Sequence, residues 1–121
     1  VDVYASASLG YVAIDLGYKN RKNNIFIKVQ GSSGAFDTAY AYHGNNGSPL
    51  VSNYSTALTP FASAEMYVTW RRSTVKLEIS TLFNNEAQQH WVIHGVSTAG
   101  LGRKIGLGIY GGAAADNFAI P

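Results

Sequence analysis

The chain has 121 residues, 46% hydrophobic and 13% charged, with thirteen glycines, eight tyrosines and no cysteine. That length suits a single domain around one core, and the charge content is about half the ~25% usual in globular proteins. The composition excludes a disulfide framework and thiolate metal sites. A net charge of +2 leaves no nucleic-acid footprint, and no apolar run approaches the ~18 residues of a membrane span.

Apolar residues recur at every second position, which places one side-chain set on a core and the other toward water. Val1, Val3, Ala5, Ala7 and Leu9 alternate with Asp2, Tyr4, Ser6 and Ser8, predicting a strand over 1–9. Val12, Ile14 and Leu16 continue it over 11–18, and Ile25, Ile27 and Val29 over 25–30. A strand at 35–43 follows, with Phe36, Tyr40 and Tyr42 opposing Asp37, Ala39 and Ala41. The next connection, Gly44–Pro60, has seventeen residues, longer than most structureless loops; it predicts a short strand near Leu50–Tyr54 or a binding loop. Strands at 64–70 and 75–80 are joined by a four-residue hairpin link, Arg71–Thr74. Thr81–Gln88 is expected to hold a helical turn at Leu82–Ala87. Strands at 89–95, 104–110 and 116–120 complete nine. The fold class is all-β, a two-sheet antiparallel β-sandwich forming one domain over 1–121. Its expected core contains Val12, Ile14, Leu16, Ile27, Val68, Leu77, Ile105, Leu107 and Phe118.

Three stretches carry a resemblance. They are Gly10–Tyr18 with Asn24–Val29, Pro60–Trp70 with Val75–Ser80, and Ile105–Gly112 with Asp116-Asn-Phe-Ala-Ile120. Together they resemble the concanavalin A-like, laminin-G-like jelly rolls, over most of residues 10–120. The resemblance implies an extracellular or cell-surface module that binds glycans or proteins. It also implies a further strand pairing beside the closing one. That strand is not visible here, which suggests a piece of a longer polypeptide or a partner that supplies it. Low charge with abundant Gly, Ser, Asn and Tyr agrees with an extracellular setting.

Hydrolases of that fold carry Glu-x-Asp-x-x-Glu on one strand, and this chain has no such run. Its glutamates, Glu65, Glu78 and Glu86, lie in different segments; only adjacent strands would bring Glu65 near Glu78. Two carboxylates within ~5–10 Å are needed for glycosidic hydrolysis, so the reading is non-catalytic. His90 and His94 share a predicted strand, where four residues span about 13 Å, too far for one ion. Calcium is the one metal the residues admit, with Asp116 and Asn117 as hard ligands beside loop oxygens of Asp37, Asn45 or Asn46. Lys19, Arg21, Lys22, Arg71, Arg72, Arg103 and Lys104 fall at loop tips, where they decorate turns or line a rim for an acidic polysaccharide.

The aromatic residues give the better lead, because sugars need flat rings against CH faces and polar groups for their hydroxyls. Tyr11, Tyr67 and Trp91, with Gln89 and His90, are the candidate ligand-binding residues. The functional expectation is a non-catalytic recognition or adhesion module for a glycan or a cell-surface protein. The alternative is a structural block that assembles through sheet edges. The uncharged end of the 116–120 strand is expected to leave an edge open to a neighbouring copy.

Overall fold

The computed structural model describes residues 1–44, 48–49, 54–85 and 87–120. Among them are eleven strands and no helix. They are β1 (Asp2–Tyr4), β2 (Gly10–Asn20), β3 (Asn23–Gly31), β4 (Phe36–His43), β5 (Ser48–Pro49), β6 (Ser55–Phe61), β7 (Ser63–Arg72), β8 (Lys76–Asn84), β9 (Gln89–Ser97), β10 (Lys104–Gly111) and β11 (Ala114–Asp116). Every pairing is antiparallel. One sheet runs β11-β1-β7-β8-β9; the other runs β10-β2-β3-β4-β5, with β6 also paired to β4. The all-β sandwich read from the period is the fold.

The inward set is what the alternation selects. Val12, Ile14, Leu16, Ile25, Ile27 and Val29 from one sheet meet Met66, Leu77, Ile79, Phe83, Trp91 and Ile93 from the other, all at or below 8% exposure. Turn chemistry fixes the registers. Asn20 Oδ1 accepts the N–H groups of Lys22 and Asn23, both at 3.0 Å, which closes the β2–β3 hairpin with two intervening residues.

Five expectations change. The alternation over 1–9 breaks after Tyr4. There the Ser6 hydroxyl bonds the Ser8 carbonyl and accepts the Ser8 N–H, and such local bonds divert the backbone from a ladder. A neighbour beside the closing strand, not visible in the sequence, is supplied by β1, which lies between β7 and β11. Leu82–Asn84 complete β8 rather than a helical turn, all paired with β7 and Leu82 and Phe83 also with β9. The long connection holds β6, whose Leu58 and Phe61 are its buried members; of the strand expected near Leu50–Tyr54 only Tyr54 is described. The closing strand ends at Asp116, because Asn117 takes a left-handed conformation with φ of 54°.

Two expected core residues change with it. Phe118 is 36% exposed beyond the strand, and Leu107, though opposite Ile14, is 37% exposed on the edge strand β10. Val68 and Ile105 are half-buried against the core, while Val12, Ile14, Leu16, Ile27 and Leu77 lie within it.

Candidate functional site

On the six-stranded sheet, the residues that alternate with the core set form a hollow on the outer face. Cross-strand register defines it. Gly108, Ala13, Lys28 and Tyr40 form one row, and Gly106, Asp15, Phe26 and Tyr42 the next. The floor is low because Gly106, Gly108 and Ala13 carry little or no side chain; in Ile105-Gly-Leu-Gly-Ile109 the glycines point outward and the apolar residues inward. Tyr11, Phe26 and Tyr42 wall it, and further rings pack behind them. Tyr11 stacks on Tyr110 with centroids 5.3 Å apart and meets the edge of Phe26 at 5.6 Å. Tyr40 and Tyr42 stack at 5.7 Å, and Tyr54 leans on Tyr42 at 6.1 Å. The hollow measures about 270 Å³.

Two charged groups face it. The Lys28 ammonium lies 4.7 Å from the Tyr11 ring centre and 5.2 Å from those of Tyr40 and Tyr42, where ring faces attract a cation. Burial lowers the Lys28 pKa. Asp15 is half-buried; burial pushes its carboxyl up to about 6, and its Oδ1 is enclosed without a hydrogen-bond partner. Burial, then Asp15 and Tyr110, raises the Tyr11 hydroxyl, and burial, then Tyr40 and Tyr54, raises that of Tyr42. These groups share one cause, removal from water beside rings. A buried acceptor with nothing to accept from is costly to the fold and useful to a ligand hydroxyl.

The structure does not gather the sequence-predicted ligand residues into one place. Tyr11 alone belongs to the hollow. Trp91 is 8% exposed and sits in the core opposite Thr81, so its ring offers no platform; its position on the Ile93 stripe dictates this. Gln89 is committed elsewhere. Its Oε1 accepts the Thr59 N–H at 2.6 Å and its Nε2 donates to the Thr59 carbonyl at 2.8 Å, clamping one sheet to the other. Tyr67 and His90 lie on the outer face of the five-stranded sheet, aligned through Leu82. Tyr67 donates to Glu65, which raises the Tyr67 pKa, and His90 Nε2 is 2.5 Å from the Ser80 hydroxyl.

The carboxylates are equally scattered. Glu65 pairs opposite Asn84 and Glu78 opposite Arg71, six residues apart along β7, and Glu78 binds His94 at 2.9 Å. Asp116 and Asn117 stand beside Asp2: the Asn117 amide donates to Asp2 Oδ2 at 2.6 Å, and Asp116 Oδ1 accepts the Asn117 N–H at 2.8 Å. Among the described residues no group of three or more acidic or histidine side chains has metal-holding geometry, and Asn45 and Asn46 are outside them.

Basic residues do converge. Lys104 pairs with Tyr18, Gly102 N–H bonds the Gly17 carbonyl, and Arg72 Nη1 donates to the Gly102 carbonyl at 2.6 Å. The β2–β3 hairpin, the β7–β8 turn and the start of β10 thus share one end of the sandwich. Eight of the nine Lys and Arg, all but Lys28, lie there exposed: Lys19, Arg21, Lys22, Arg71, Arg72, Lys76, Arg103 and Lys104. Asp2, Asp37, Glu65 and Asp116 belong to strand ends away from it. The hollow opens beside this end, since Gly44 on its rim packs on the Lys22 carbonyl.

Comparison of the chain with protein-family models, with curated proteins and with solved structures finds no match.

Proposed function

We propose that this protein is a non-catalytic extracellular recognition module that binds carbohydrate on the outer face of its six-stranded sheet. The observation that carries the reading is the partnerless Asp15 oxygen in a ring-walled hollow that Lys28 also lines. Rings of Tyr11 and Tyr42 suit the CH face of a sugar, Asp15 accepts a hydrogen bond from a sugar hydroxyl, and Lys28 donates one. The adjacent basic end favours an acidic polysaccharide, with one unit in the hollow and its neighbours along Lys22 and Lys19. Among the described residues Asp15 is the one carboxylate lining the hollow, whereas glycosidic hydrolysis needs two, which supports a binding role over a catalytic one. The jelly-roll kinship belongs to the same proposal, supported by the first strand pairing beside the closing one.

A glycan array with neutral and acidic polysaccharides tests the reading, followed by calorimetry on Tyr11→Ala and Asp15→Asn. Each variant should weaken binding at least about tenfold, equivalent to ~1.4 kcal/mol. Added salt should weaken it too, and chelation should leave it unchanged. An array without signal, or binding indifferent to both substitutions, overturns the proposal.

A further inference from the structure

The hollow and the basic end beside it suit ligand groups of different charge. At about 270 Å³ the hollow lies just under the ~300–1,000 Å³ of pockets for drug-sized molecules, so it takes one sugar unit. Among the described residues its charged groups are Asp15 and Lys28, which sum to zero. The Lys28 ammonium is already set against the rings of Tyr11, Tyr40 and Tyr42. The enclosed Asp15 oxygen has no donor and calls for a hydroxyl or amide hydrogen. An acidic unit would instead bring a second carboxylate against it, and two carboxylates sharing a site poor in water do not both stay ionised. Ring faces attract cations and repel anions, and three rings wall the hollow. Burial alone already raises the Asp15 pKa, so the hollow tolerates little added negative charge.

One step toward the basic end the sign changes. Lys104 follows Gly108 and Gly106 in the outward-pointing set of β10, about 7 Å along the strand from Gly106. Lys22 stands behind the rim, where Gly44 packs on its carbonyl. Eight exposed Lys and Arg side chains share that end with one described carboxylate, Glu78, which His94 engages.

We propose that the hollow takes an uncharged sugar unit while acidic units follow it onto the basic end, so that the ligand is a polysaccharide in which neutral and acidic units alternate. This inference rests on the carbohydrate reading and assigns each kind of unit its place. Asp15 is then the residue that sets specificity. It accepts from a hydroxyl of the neutral unit and turns a carboxylate away, so a polymer acidic at every unit is rejected although the basic end attracts it. Asp15→Asn replaces the repelling oxygen with an amide donor in a hollow that Lys28 also lines, and so admits the acidic unit.

The probes are two alternating polymers, of glucuronate with N-acetylglucosamine and with N-acetylgalactosamine, and a homopolymer of glucuronate. Calorimetry should find at least one alternating polymer bound about tenfold or more tighter than the homopolymer, as expected where like charges meet. Asp15→Asn should weaken the alternating polymer and strengthen the homopolymer, reversing the order. Asp15→Ser, which removes the charge without supplying the amide, should lift the rejection with a smaller gain. Lys22→Gln with Lys104→Gln should weaken the alternating polymer and flatten its salt dependence. A native chain that binds the homopolymer as well as either alternating polymer, or that binds only neutral carbohydrate, overturns the proposal and leaves the carbohydrate reading standing. So does a preference that neither Asp15 variant changes. Silence from every carbohydrate removes both.

Discussion

A carboxyl group held partly out of water ties folding stability to pH. Asp15 has a folded pKa of about 6 against an ordinary 3.8, raised by burial. Between these values the folded chain holds a proton that the unfolded chain has released. Stability therefore falls as pH rises from about 4 to about 6 and stays lowered above. Asp15→Asn removes the charge and should gain on the order of 1 kcal/mol at pH 7, a figure reduced for the group's partial exposure, and nothing below about pH 4. Denaturant titrations at the two pH values check this. The same variant should lose ligand, the usual exchange between stability and a strained site. Gln89 is the opposite case, since both of its amide atoms serve the fold. Gln89→Ala should cost about 1–2 kcal/mol by losing two bonds between the sheets, without touching glycan affinity.

Among the elements, β10 shows how a strand can be shaped for a cavity. A Cβ at Gly108 would meet Phe26 and Ala13 at 3.6 and 3.8 Å, ordinary contact distances, so Gly108→Ala should leave melting unchanged or slightly raised while shallowing the hollow. Gly111 differs: at φ of 68°, its Cβ would come within 2.1 Å of the Leu9 carbonyl, and Gly111→Ala should destabilise the fold. Thermal melts of the pair separate a glycine kept for shape from one kept for the chain path. The long strands β2, β3 and β9, and the first part of β8, were legible because one face is buried and period two is then obligatory. The short β6 was not, since two buried side chains, Leu58 and Phe61, leave no period to read; β1 lies within the strand expected over 1–9, which the Ser6–Ser8 bonds cut short. The hollow was half legible. Tyr11, Phe26, Tyr40, Tyr42 and Tyr110 are aromatic residues at positions that alternate with the core set, a signal open to a reader of the sequence. What joins them is the register of three consecutive strands with β10, which lies far along the chain, and no local pattern encodes that. Trp91 misled for the converse reason: its ring drew attention, while its parity with Ile93 already assigned it to the core.

At the scale of the molecule, core and edge should respond differently to the same truncation. Leu77 is 2% exposed between the sheets, so Leu77→Ala should cost roughly 2–5 kcal/mol. Leu107, uncovered on the edge strand, should cost less than about 1 kcal/mol; guanidinium unfolding of both variants measures the contrast. The excess of cations over carboxylates at one end also gives the domain a dipole larger than its net charge suggests, and an approaching polyanion would meet it basic end first. The pairing of β1 with β11 has a different kind of consequence, one of time. Asp2 and Asp116 are 114 positions apart, so nearly the whole chain is the loop that this contact closes. Hairpins such as β2–β3 close two residues and win early, whereas the contact of first strand with last waits until the rest is in place. Val3→Ala at that seam should leave the refolding rate nearly unchanged and accelerate unfolding, a clasp that fastens last and opens first.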